Sequence, residues 1–228
     1  MKNTIGTLLA LATITSAPAA ISLSSHDNFT TDANNWTGGA VPPTHSPDTS
    51  WDGNPGHLIN TSDGIGQNGR FHFWNDDPEW QGDYLSANVT AISLWVDNRS
   101  NTPNIPNIPL SIAFNGPGGW FISNSISITD SILDTDEWQE ITFDISEAGL
   151  TYVTGGTNDY TATLSDVTRF EILSSLFNTP SLTRNGFLQG DNTLADIRFD
   201  DITAIPEPST SLLAGLSALG LLARRKRR

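Results

Sequence analysis

The chain has 228 residues, no cysteine and a formal net charge of −14. That excludes a disulfide scaffold and thiol chemistry, and repulsion excludes a nucleic-acid backbone as partner. The charge is unevenly placed. Lys2, Arg224, Arg225, Lys226, Arg227 and Arg228 sit at the ends, and between Ala20 and Ile205 the basic residues are Arg70, Arg99, Arg169, Arg184 and Arg198 alone. A body this acidic suits solubility outside a cell, or attraction of divalent cations and basic partners.

Residues 1–19 read as a secretory signal peptide. Lys2 supplies the charged start, Ile5 to Ile14 the apolar stretch, and Ala17-Pro18-Ala19 an A-x-A cleavage site. Residues 20–205 form the body, one domain by length. Its segments alternate at period two: Gly69–Trp74, Val89–Asp97, Leu110–Phe114, Ser125–Ile128, Trp138–Ile145, Arg169–Leu173 and Ala195–Ile202. Alternation with β-branched and aromatic residues predicts half-buried strands, and the Gly, Pro, Asn and Asp clusters between them predict turns. Gly38–Gly56 and Asn98–Pro109, rich in proline, read as loops. Many short strands without helices predict an all-β antiparallel sandwich, and the length favours a jelly roll over an immunoglobulin fold.

Residues 206–228 divide into three parts. Pro206-Glu207-Pro208 is a stiff extended tripeptide, Leu212–Ala223 is uncharged and apolar, and Arg224–Arg228 is a basic block. As a helix from Ser209 the apolar part spans about 22 Å. That is a short transmembrane helix, which crosses by thinning the bilayer with its arginines reaching the headgroups. The positive-inside rule then leaves the body outside. The other reading is an amphipathic core helix with a solvated tail, against which the leucines wrap most of the helix. In this order the three parts resemble the PEP-CTERM sorting signal of exported bacterial proteins. The resemblance implies an exosortase-type sorting protease that recognises Pro206-Glu207-Pro208, transient anchoring in the inner membrane, and delivery to the cell envelope or the extracellular matrix.

In the body, Asn35-Trp36-Thr37, Trp138–Asp144, Leu164–Phe170 and Ile197–Ile202 are similar to jelly-roll carbohydrate-binding modules and, with Gly82-Asp83, to laminin-B-like domains. That likeness implies neighbouring first and last strands, with a structural calcium held by Asp27, Asp200 and Asp201. Calcium takes six to eight oxygens. The alternative for Asp200-Asp201 is a β-bulge facing water. Asp76, Asp77, Glu79 and Asp83, and likewise Asp130, Asp134, Asp136 and Glu137, lack EF-hand spacing and read as solvated turns.

Seven tryptophans are many for this length. Trp95 and Trp138 fall in strand patterns and read as core. Trp51, Trp74 and Trp80, with Asp76 and Asp77, read as a glycan platform, rings stacking on sugar C–H faces while carboxylates bind hydroxyls; the alternative is that the rings plug the ends of the sandwich. No zinc spacing and no G-x-S-x-G elbow occurs. His57, His72 and Asp83 either meet in a cleft or lie scattered on the surface. The expected function is an exported, non-catalytic envelope or matrix protein that binds extracellular polysaccharide; the alternative is a polysaccharide-active enzyme on the same scaffold.

Overall fold

Two antiparallel sheets face each other across the apolar sides of the alternating segments. The computed structural model describes residues 21–22, 25–38, 41–49, 53, 55–65, 70–99, 107–129, 138–175 and 186–207. The signal segment, Trp51, Pro208, the apolar run and the basic block lie outside the described residues. Among the described residues no helix is long and apolar enough to cross a membrane.

In chain order the strands are β1 (His26–Asp27), β2 (Thr37–Gly38), β3 (Thr44–Thr49), β4 (Pro55–Asp63), β5 (His72–Asn75), β6 (Val89–Asn98), β7 (Asn107–Gly116), β8 (Gly119–Ser123), β9 (Ile126–Thr129), β10 (Gln139–Asp144), β11 (Leu150–Thr154), β12 (Arg169–Ser174) and β13 (Leu194–Pro206). A 3-10 turn covers Pro78–Trp80, and a five-residue helix, α1 (Tyr160–Leu164), is capped by Asp159, whose side chain accepts the Ala162 N–H.

The first sheet runs β10-β6-β13-β4-β3, with β1 added beside β13; the second runs β11-β8-β7-β12-β5-β2, with β9 beside β7. This is the expected sandwich, and the first and last strands are neighbours, His26 opposite Thr203 and Asp27 opposite Ile202. The core lies between the sheets. Ile92, Leu94, Val96, Ile141, Phe143, Ile197 and Phe199 face it from the first sheet, and Phe73, Ile112, Phe114, Phe170 and Ile172 from the second. Each set is one side of a period-two pattern, so a one-residue slip would bury its charged neighbours.

The expected loop at Gly38–Gly56 is corrected: it contains β3. THSPDT shows no apolar alternation because β3 is an edge strand. Pro47, which cannot donate, is tolerated there, within the register shift between Ser46 and Thr49. Likewise β7 begins at Asn107, inside the expected Asn98–Pro109 link.

The aromatic side chains divide differently from expectation. Trp36 and Trp80 belong to the central core, and Trp120 is buried in a smaller cluster with Ala113, Ile122, Leu173 and Leu188. Trp95 and Trp138 are only half-buried. Trp95 stands opposite Glu140 and Asp200 on the side of the first sheet away from the core. Trp138 lies edge-on to His57 and under the Arg198 guanidinium, 6.0 Å from its ring centre.

Candidate functional site

Residues opposite one another in antiparallel pairs share a face. On β5, β12 and β7 the registers place Trp74 opposite Glu171 opposite Ala113, and His72 opposite Leu173 opposite Ser111. Arg169 continues the same side of β12. These residues make up the outer face of the second sheet, and part of it is roofed by Phe187 and Leu188.

Glu171 is the centre of this face. It is fully buried. Its Oε2 accepts the Leu188 N–H at 3.2 Å, while Oε1 has no partner. Burial pushes its carboxyl well up, with the Arg169 charge opposing. Around it His72 Nδ1, Ser111 Oγ and Arg169 Nε are also buried without partners. Burial pushes the His72 imidazole down, which favours its neutral form.

The rim is aromatic and charged. The Trp74 ring packs against Phe187 with centres 4.0 Å apart and planes tilted by 35°, and runs nearly parallel to His72 at 5.7 Å. The Arg169 guanidinium sits 4.0 Å over the Phe187 ring, and its Nη2 lies 3.6 Å from Asp76 Oδ2. Trp74 is half-buried and Asp76 exposed. Trp74 and Asp76, both expected in a platform, are therefore joined through Arg169 and Phe187.

The other expected members are elsewhere. Trp80 is a correction: its ring is fully buried against Phe170, centres 5.2 Å apart, and offers no face to a ligand. Its place after Pro78 in a tight turn directs it inward. Asp77 accepts from the Asn35 side-chain amide, and Trp51 lies outside the described residues. His57 and His72 do not share a cleft, since they stand on strands of different sheets.

The expected calcium ligands are neighbours, but Asp27 is already engaged. It is buried, Oδ2 accepting the indole N–H groups of Trp36 at 2.6 Å and Trp80 at 2.7 Å, and Oδ1 the Asn34 amide at 3.0 Å. Burial raises its carboxyl while those donors hold it down. Glu79 hydrogen-bonds Asp27, and burial together with the Asp27 charge pushes it up to about 7. Asp201 has a positive φ of 48° at the register shift after Asp200 and bonds His26 Nε2 at 2.7 Å, as a bulge does. Among the described residues no three His, Cys, Asp or Glu side chains are grouped to hold a metal ion.

Sequence reasoning did not single out Glu171, Ser111 or Phe187. The available signal was the outward set Arg169, Glu171 and Leu173 on a strand whose inner set is Phe170 and Ile172. An acid and a leucine on one outer face imply that the face is covered.

No curated protein matches the chain in sequence. Among solved structures, an exo-β-agarase superposes with a TM-score of 0.52 at 13% identity, over 80% of this chain and 24% of that one. The CBM22-1 and GH10 modules of the N-terminal endo-1,4-β-D-xylanase 10B of Clostridium thermocellum, complexed with xylohexaose, give 0.48 at 12%, over 83% and 29%. A CBM22 xylan-binding domain gives 0.45 at 9%, over 84% and 97%. The chain spans less than a third of the first two structures. At 13% identity the likeness to the exo-β-agarase is one of fold alone. Residues 204–228 match the PEP-CTERM protein-sorting motif, and the chain therefore carries at its C-terminal end the sorting signal of an exported protein.

Proposed function

We propose that the body is a non-catalytic glycan-binding module, carried to the cell envelope by its sorting signal and holding extracellular polysaccharide on the outer face of the second sheet. One observation carries this reading. Glu171 Oε1, His72 Nδ1, Ser111 Oγ and Arg169 Nε are orphaned together on one face, beside the Trp74 and Phe187 rings. Buried polar atoms are almost always paired, so a cluster of orphans on one face supports a polar ligand there. Sugar hydroxyls both donate and accept, and sugar C–H faces stack on aromatic rings.

Affinity electrophoresis of the purified exported protein on xylan and on agarose, beside an assay for released reducing sugar, tests the reading. Retardation that Trp74→Ala reduces at least tenfold, without sugar release, supports it. Release of reducing sugar overturns it in favour of an enzyme, and retardation indifferent to Trp74→Ala and Glu171→Gln moves the site elsewhere.

A further inference from the structure

The sorting motif and the folded body overlap. The match to the motif begins at residue 204, whereas β13 continues to Pro206. Ala204 donates its N–H to the Ser25 carbonyl at 3.0 Å, Pro206 stands opposite Val89 on β6, and the Glu207 N–H donates to the Asn88 carbonyl at 2.9 Å. Proline has no N–H. The Glu207 amide is thus the one backbone donor of Pro206-Glu207-Pro208, and the body occupies it.

The acceptor is rigidly built. Asn88 has a φ of 53° and closes the turn from Tyr84, where the Asn88 and Val89 N–H groups return to the Leu85 and Tyr84 carbonyls. Tyr84 is fully buried and its hydroxyl bonds the Trp80 carbonyl at 3.0 Å. Asp83 caps the turn through the Ser86 N–H and hydroxyl. The Asn88 carbonyl is therefore fixed by the core.

We propose that the folded body clamps the first half of its own sorting motif, and that the sorting protease acts on a state in which Pro206 and Glu207 have left the sheet. This rests on the sorting signal being read by a protease. A protease that takes an extended peptide uses the peptide's main-chain groups, and here the single amide of the tripeptide is engaged while Pro206 is half-buried beside β6. The rate of processing is then set by opening of this strand end, a local event that leaves the rest of the sandwich folded.

The test compares the full chain with a variant carrying six Gly/Ser residues inserted between Ile205 and Pro206, which keeps the motif whole and moves it off the body. Pulse–chase in the processing host is expected to show at least threefold faster maturation of the insertion variant. In the unprocessed chain in detergent, hydrogen exchange at the Glu207 amide is expected to accelerate at least tenfold. An insertion variant that matures no faster than the parent overturns the proposal. If neither chain is ever processed, the sorting reading fails, and exchange alone decides the clamp: equally fast exchange in both chains overturns it.

Discussion

The indole N–H of Trp80 donates to Asp27 Oδ2 at 2.7 Å across a separation of 53 residues, and Trp36 donates to the same oxygen. A buried carboxylate held by neutral donors ties β1 to the core. Asp27→Asn turns an amide donor toward two indole donors and is expected to cost about 2–4 kcal/mol. Trp80→Phe keeps most of the packing, loses one bond and is expected to cost about 1–2 kcal/mol. Urea midpoints of both variants check the order; an Asp27→Asn chain as stable as the parent would show that the junction is held by something else.

Calcium offers a different way to close the same junction. An ion bridging Asp27 to Asp200 and Asp201 must displace the indole donors. If it did, a 100-fold excess over its Kd would stabilise the fold by about 2.7 kcal/mol, and tryptophan emission would shift. The donors are expected to keep their places, leaving Tm and emission unchanged by calcium or by chelator. A calcium-dependent rise in both would assign the three aspartates to the ion.

Two buried or crowded carboxyls are expected to lose their stabilising contribution as pH rises. Glu79 and Glu171 both have folded pKa values above the unfolded value near 4.5, Glu79 at about 7. Between those limits these two carboxyls bind more protons in the folded state than in the unfolded chain, so their contribution to the free energy of unfolding decreases with pH. The contribution is complete below about pH 4.5 and is lost for Glu79 as pH passes about 7. Glu79 is exposed at the surface, so solvent screening makes its share small. Glu171→Gln is expected to flatten a Tm series from pH 5 to 8 more than Glu79→Gln does.

Phe143 and Thr142 are chain neighbours on opposite faces of β10, one in the core and one exposed. Phe143→Ala removes a ring packed between the sheets and is expected to cost about 3–5 kcal/mol. Thr142→Ala is expected to stay within about 1 kcal/mol. Denaturant midpoints compare them directly, and equal costs would remove β10 from the core.

Replacing Arg224–Arg228 by neutral residues is expected to leave the chain unprocessed or misplaced, because the matched sorting motif extends over the basic block. Cell fractionation and intact mass check it. Unchanged distribution and mass would mean that the block takes no part in sorting.

Strand identity was legible wherever alternation was strong, as in Ile141, Phe143 and Ile145 or Phe170 and Ile172, because one face of each had to meet the other sheet. Edge strand β3 was not legible, since an edge segment buries little and THSPDT carries no apolar stripe. The site was half legible. Trp74 and Asp76 were visible as an aromatic and an acid at a strand end. Trp80 looked the same in sequence, and only the turn at Pro78 sends it inward to Asp27. Glu171 was hidden because its burial depends on Phe187 and Leu188, which approach its strand through tertiary structure alone.

The place of β13 in its sheet has a consequence for how the protein is made. Leu194–Pro206 is the last strand in chain order among the described residues, yet it pairs with β4 and β6 on its two sides. Until it arrives, both of those strands present an open edge and the first sheet stays divided. The pairing is distant in sequence, so closure is slow compared with local structure. The two halves of the first sheet are therefore expected to join late, only once β13 is available to both.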